Sequence, residues 1–220
     1  MTDHKTRFLN LALDAQALKF GEFTLKSGRK SPYFFNAGLF NSGRLMRELA
    51  IGYVDAIEHA GLDFDLIFGP AYKGIPLATA IAVELAARGR DLPLAYNRKE
   101  AKDHGEGGTL VGAPLQGRKV LVVDDVISAG TAIRESLDII RANGAHIAGI
   151  AIALDRQELP GGIEPDPSNT QSATQSLSAE LGVRVLAIAT LADLVAFTAD
   201  DERFVQHADA IAAYRQRYGA

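Results

Sequence analysis

The chain has no cysteine and no tryptophan, and only two methionines. Without cysteine there is no disulfide, no thiolate metal site and no cysteine nucleophile, which is compatible with a cytoplasmic location. No apolar run approaches the roughly 20 residues that a membrane-spanning helix requires. The opening Met1-Thr-Asp-His-Lys-Thr-Arg7 is charged and is not followed by an apolar core of signal-peptide type. An excess of one charge is missing too: 23 basic residues stand against 27 acidic ones, a formal net charge of −4. Such a balance points away from nucleic-acid and membrane surfaces, so an anionic ligand has to be met by basic residues concentrated locally. No G-x-x-x-x-G-K-[ST], G-x-G-x-x-G or G-x-S-x-G occurs anywhere. What is there is 220 residues, 47% hydrophobic and 23% charged, enough for one globular domain over 1–220 with a substantial core.

The most informative stretch is Lys119-Val-Leu-Val-Val-Asp-Asp-Val-Ile-Ser-Ala-Gly-Thr131. Its apolar run is mostly β-branched and does not alternate, which suits a central strand of a parallel sheet covered on both faces. Ligands in such sheets bind at the carboxyl ends of the strands. There the chain places Asp124 and Asp125, then Ser128, Ala129, Gly130 and Thr131, then a helical pattern running to Arg141. The N–H groups of a helix start, with the hydroxyls of Ser128 and Thr131, make an anion cradle. The two aspartates would repel a phosphate and suit the vicinal hydroxyls of a ribose. A ribose 5-phosphate satisfies both halves. The same order also describes a buried strand ended by N-capping aspartates; a Walker B strand is a further reading, but it lacks its P-loop upstream.

Elsewhere the sequence alternates between the two regular periods. Lys5 to Phe20 has a helical rhythm with Gly21 as its stop, and Glu22–Leu25 and Tyr33–Phe35 flank turn residues as a hairpin with Lys26 at its bend. A helix is expected from about Ser42 to His59, stopped by Gly61, a strand over Asp65–Phe68, a helix from Ile75 to Ala87 and a strand from Leu92 to Tyr96. After the central motif come a strand from His146 to Leu154, an exposed loop from Gly161, a small helix, a strand from Val183 to Ala189, and helices near Leu191–Phe197 and Asp201–Tyr218. This implies an α/β fold with a mainly parallel sheet flanked by helices.

Two further stretches fall in register with the motif. Gly69-Pro-Ala-Tyr-Lys-Gly74 follows a strand, so Tyr72 and Lys73 face the same crevice as Asp124 and suit a diphosphate; a surface turn capping the next helix is the alternative. Asn97-Arg-Lys-Glu-Ala-Lys-Asp-His-Gly-Glu-Gly-Gly108 cannot build core. Its mixed charges and terminal glycines read either as solvated surface or as a mobile lid. Such a lid brings Arg98, Lys99, Lys102 and His104 onto a diphosphate as charge develops there.

The Val123–Thr131 segment resembles the sugar-diphosphate motif of the type I phosphoribosyltransferases. With Lys26, Phe34-Phe35-Asn-Ala-Gly38, Tyr72-Lys73, the Lys-Asp-His-Gly-Glu-Gly run and Asp155-Arg156, nearly the whole chain resembles the orotate branch of that family, as found in bacteria and fungi. The resemblance implies the type I phosphoribosyltransferase fold with a base-recognition hood over about residues 1–40. It also implies pentosyl transfer from 5-phosphoribosyl 1-diphosphate to orotate, with Mg2+ held mainly by substrate rather than by an all-protein cage. The implied orotate contacts are Lys26, Phe34, Phe35, Ser128 and Arg156. The implied sugar-diphosphate contacts are Tyr72, Lys73, Arg98, Lys99, Lys102, His104, Asp124, Asp125, Val126, Ile127, Ser128, Ala129, Gly130, Thr131 and Ala132. Among these Lys73, Arg98, Lys102, His104, Asp124 and Asp125 are the implied catalytic residues. The lid is expected to act on the neighbouring subunit of a homodimer. Where the family more often has threonine this chain has Ser128, which keeps the hydroxyl. Arg156 also has an argument of its own, since a guanidinium at that sheet edge suits a planar carboxylate; a surface pairing with Asp155 or Glu158 is the alternative. A purine enzyme of the same fold would have no carboxylate for Lys26 and Arg156 to match. A non-catalytic regulator that kept the sugar-diphosphate pocket usually carries an added DNA-binding domain, for which neither the length nor the charge leaves room.

Overall fold

The computed structural model describes residues 3–102, 108–127, 130–166 and 168–220, with the backbone alone at 101, 102, 108, 131 and 132. The chain opens with α1 (His4–Asp14), the hairpin β1 (Leu18–Thr24) and β2 (Lys30–Phe35), and a short 3-10 turn before α2 (Gly43–Ala60). It then alternates β3 (Leu66–Gly69), α3 (Gly74–Ala87), β4 (Leu94–Lys102), β5 (Gly108–Gly112), β6 (Lys119–Asp124), α4 (Thr131–Ala142) and β7 (His146–Asp155). It closes with α5 (Ala173–Leu181), β8 (Arg184–Thr190), α6 (Leu191–Asp200) and α7 (Val205–Tyr218). Among the described residues no helix is long and apolar enough to cross a membrane.

The main sheet has the order β5-β4-β3-β6-β7-β8, with β5 antiparallel to its neighbour and the rest parallel. The run Val120–Val123 is fully buried because alternate residues serve opposite faces. Val120 and Val122 pack with Ile133, Leu137 and Ile140 of α4 and Leu177 of α5. Leu121 and Val123 pack with the helices of the other face, α1, α2, α3, α6 and α7. Each such buried aliphatic side chain contributes on the order of 1.5–3 kcal/mol. The sequence therefore needs no alternation at the centre of the sheet, and the α/β expectation with helices on both faces is met.

Two expected boundaries are corrected. The first helix ends at Asp14, not near Phe20. Gln16 takes a left-handed conformation (φ 56°), and Leu18-Lys19-Phe20 then alternates buried, exposed and half-buried in β1. The apolar residues at 17, 18 and 20 fit both periods, and hairpin pairing with Tyr33, Phe34 and Phe35 decides for the strand. The charged stretch from Asn97 is also more regular than a loop. Its described part continues β4 to Lys102 and returns as β5, paired through Tyr96 with Val111, Asn97 with Leu110 and Lys102 with Gly108. Backbone pairing at an edge does not require apolar side chains, so the charges do not prevent it. The centre of the expected lid, 103–107, lies outside the described residues. The left-handed Gly61 (φ 61°) closes α2 as expected.

Candidate active site

The chain order reverses between β3 and β6: from β3 the sheet grows through β4 in one direction, and from β6 through β7 and β8 in the other. Neighbouring parallel strands whose following connections diverge leave a crevice at their carboxyl ends. Two loops meet there, Gly69–Lys73 after β3 and Asp124–Gly130 after β6.

The first loop is drawn tightly onto the helix that follows. A Cβ at Gly69 would lie 2.4 Å from the Gly74 carbonyl oxygen and 2.9 Å from the Ala78 methyl, so only glycine allows this approach. The Ala71 N–H donates to Oδ1 of Asn97 on β4 at 2.9 Å. The Ala71–Tyr72 peptide bond is cis. Tyr72 is 67% exposed, and Nζ of Lys99 lies 5.1 Å from its ring centroid. Lys73 reaches across the crevice to Asp125, with Nζ 2.7 Å from Oδ2.

The second loop is held from beneath. The buried Tyr53 hydroxyl on α2 donates to the Asp124 carbonyl oxygen at 2.6 Å. The Asp125 carbonyl accepts from Ala153 on β7 at 2.9 Å. The carboxylates also accept local N–H groups, Asp124 from Asp125 at 2.9 Å and Asp125 from Val126 at 3.0 Å. Burial and the neighbouring Asp125 charge push the Asp124 pKa up to about 6. Ile127 is buried against the α4 side of the core and Val126 packs on the opposite core, so both face away from the crevice. Gly130 is left-handed (φ 72°) at the start of α4, where the first N–H groups lack intrahelical acceptors. Ser128 and Ala129 lie outside the described residues, as do the side chains of Thr131 and Ala132, the side chain of Lys102, and all of His104.

The expected base-binding residues come from the hairpin and the end of β7. Lys26 is exposed in the turn between β1 and β2. Phe34 is exposed and lies 5.6 Å from Phe23, the two rings tilted by 30°. Phe35 points inward instead, within 6.1 Å of Phe8 and 6.4 Å of Phe40. The structure thus separates the two rings that the sequence grouped, because successive strand residues face opposite ways. Arg98 is half-buried on β4. Arg156, just past β7, lies 5.7 Å over the Tyr33 ring, with Nη2 2.6 Å from Oε1 of Glu158. Of the two expected surface partners it takes Glu158, while Asp155 accepts from Gln157 and Thr174. The Glu158 contact is close but off the line a hydrogen bond needs, and the Nε–Nη2 edge of Arg156 has no hydrogen-bond acceptor. Burial alone would lower the Arg156 pKa, but Tyr33 and Glu158 hold it above its ordinary value. The guanidinium is thus a permanent cation whose Nε and Nη2 are buried without a hydrogen-bond acceptor, with Nη2 against the Glu158 carboxylate.

Tyr33, Tyr53 and Asn97 are the contributors that sequence reading did not single out. Only Asn97 carried a local signal, at the head of the charged run. The others act through residues distant in sequence.

A crevice that joins a lysine-bearing loop to an acidic pair and a glycine-started helix defines a phosphoribosyl-transfer fold. Residues 40–186 match the family model of the phosphoribosyl transferase domain. The chain is 66% identical over 219 residues to an orotate phosphoribosyltransferase of Xanthomonas axonopodis pv. citri, covering 100% of this chain and 98% of that one. It is 59% identical over the same length to the protein of that name from Stenotrophomonas maltophilia, again with 100% and 98% covered. A crystal structure of orotate phosphoribosyltransferase from Francisella tularensis superposes with a TM-score of 0.85 at 42% identity, covering 97% of this chain and 99% of that one. The chain belongs to the orotate phosphoribosyltransferase family, within the phosphoribosyltransferases.

Proposed function

We propose that the protein transfers the 5-phosphoribosyl group of 5-phosphoribosyl 1-diphosphate to N1 of orotate, giving orotidine 5'-monophosphate and diphosphate in pyrimidine nucleotide synthesis. The observation that carries the choice of base is Arg156, whose buried Nε and Nη2 lack a hydrogen-bond acceptor one strand away from the acidic pair. That edge matches a planar carboxylate in a bidentate fork, and a purine has none.

In the reaction the bond from C1' to the diphosphate oxygen breaks and the diphosphate leaves with the electron pair. A bond from N1 of the base to C1' forms, and the N1 proton is lost. The sugar passes through an oxocarbenium-like state. Asp124 and Asp125 hold the ribose hydroxyls and offset the cationic ring, while Lys73 meets the departing diphosphate. Tyr72, Arg98, Lys99, Lys102 and His104 complete the diphosphate side. The backbone from Val126 to Ala132, with the Ser128 and Thr131 hydroxyls, takes the 5-phosphate. Lys26, Phe34 and Ser128 join Arg156 around orotate under a hood formed by about residues 1–40, which Phe35 supports from inside. The hard carboxylate oxygens of Asp124 and Asp125 suit magnesium, which they would hold together with substrate oxygens. When bound, magnesium would supply neutralisation of the diphosphate charge. The substrates are multiply charged and do not cross membranes unaided, which supports action in the cytoplasm. A homodimer is supported by α3, where Pro76, Thr79, Val83 and Ala86 form an exposed, largely apolar stripe beside the exposed Tyr72.

The test offers orotate, hypoxanthine and adenine separately to the protein with the sugar diphosphate and magnesium, and reads nucleotide formation. Orotidine 5'-monophosphate alone is expected. A purine nucleotide, or no nucleotide from any base, would overturn the reading.

A further inference from the structure

Among the described residues, every buried side-chain nitrogen or oxygen without a hydrogen-bond partner belongs to Arg29, Tyr33 or Arg156. All three lie around one carboxylate. Glu158 Oε1 is 2.6 Å from Arg156 Nη2 and accepts from the Tyr214 hydroxyl at 2.9 Å, while Oε2 is 3.6 Å from Arg29 Nη1. Burial and the Glu158 charge push the Tyr214 hydroxyl up to about 12, so it stays a donor.

The cluster is tied down through Arg29 and the last helix. Arg29, whose side chain is 3% exposed, donates to the carbonyls of Gly162 at 2.7 Å and Leu159 at 3.0 Å. The Tyr218 ring covers its guanidinium at 4.8 Å. The backbone of Glu158 is clipped to the end of the last helix: Leu159 N–H donates to the Tyr218 carbonyl at 2.8 Å and Ala220 N–H to the Gln157 carbonyl at 2.9 Å. The Tyr214 ring sits edge-on to Tyr33 at 5.9 Å, beneath Arg156. Arg156, with its side chain 24% exposed, is the more open of the two guanidiniums. Two guanidiniums share one carboxylate here. Without the carboxylate charge, the immobile Arg29 would push Arg156 toward solvent.

We propose that Glu158, held by Tyr214 and Arg29, is a positioning residue that aims the Nε–Nη2 edge of Arg156 at the carboxylate of the base. The last helix thereby takes part in selecting a carboxylated pyrimidine. This rests on the orotate reading of Arg156.

The test compares two nucleotides that differ only in the carboxylate. Inhibition constants of orotidine and uridine 5'-monophosphates are measured on the wild-type chain, Glu158→Gln and Tyr214→Phe, with thermal unfolding alongside. Glu158→Gln is expected to weaken orotidine 5'-monophosphate about tenfold and leave uridine 5'-monophosphate unchanged, the loss of a hydrogen-bonded charge. Tyr214→Phe keeps the rings in place and is expected to act in the same direction by about threefold; it decides the matter if Glu158→Gln fails to fold. Equal weakening of both nucleotides, or no change in either, would overturn the positioning role. A wild-type protein that binds the two nucleotides equally would instead overturn the underlying reading of Arg156.

Discussion

Nζ of Lys73 stands 2.7 Å from Oδ2 of Asp125, joining the loop after β3 to the loop after β6 across the crevice. The lysine side chain is mostly exposed and the aspartate side chain is 8% exposed, so a mobile cation is parked on a nearly buried anion. In the proposed reaction the same lysine turns to the diphosphate while Asp125 takes the ribose hydroxyls. Lys73→Ala is expected to lower kcat about 10²-fold by steady-state kinetics. Asp125→Asn is expected to raise KM for the sugar diphosphate. The double variant should lose less than the sum of the two in free energy, because the residues share one interaction. Strict additivity would mean that the pair is not coupled.

Asp124 gives the pH dependence. Its pKa rises from 3.8 to about 6 because burial and Asp125 disfavour its charge. In the proposed reaction the ribose hydroxyls require an ionised Asp124, so kcat/KM for the sugar diphosphate is expected to fall as pH drops through about 6. Asp124→Asn should lack that limb. Stability moves the other way. With its folded pKa raised, the group's contribution is fully present below about 3.8 and is lost as pH rises through about 6. Unfolding of wild type relative to Asp124→Asn, followed from pH 7 to pH 5, should show the wild type gaining.

Lys102 sits at the described end of β4, and its proposed part is confined to the transition state. Lys102→Ala is expected to lower kcat by about 10²- to 10³-fold with modest change in substrate affinity. Near-normal turnover would remove the residue from the mechanism.

Gly69 sets the approach of the loop after β3 to α3. An added Cβ meets backbone at Gly74, which cannot swing aside as a side chain could. Gly69→Ala is therefore expected to destabilise the fold by about 1–3 kcal/mol in denaturant unfolding, as overpacking does. An unchanged midpoint would show that the loop can open at this point.

The central strand was legible because burial on both faces leaves an uninterrupted apolar run, and the reversal of strand order then fixes the crevice. The β4–β5 pairing was not, because it brackets the charged Arg98, Lys99 and Glu100, where the register shifts between Asn97 and Lys102 and no apolar alternation marks a strand. The first helix was read too long because Leu18 and Phe20 satisfy both periods until Tyr33 and Phe35 select the strand. Around Arg156 the residue itself was visible at a strand end. Its surroundings were not: Glu158 meets Tyr214 across 56 positions and Arg29 meets Leu159 across 130. Local pattern carries no information on such contacts.

The most direct test follows the ultraviolet absorbance of orotate in the presence of the protein and magnesium, first on adding 5-phosphoribosyl 1-diphosphate and then on adding excess diphosphate. Transfer to N1 predicts a protein-dependent loss of the orotate band that partly returns when diphosphate drives the reaction backward. An unchanged band with folded protein would contradict the assignment.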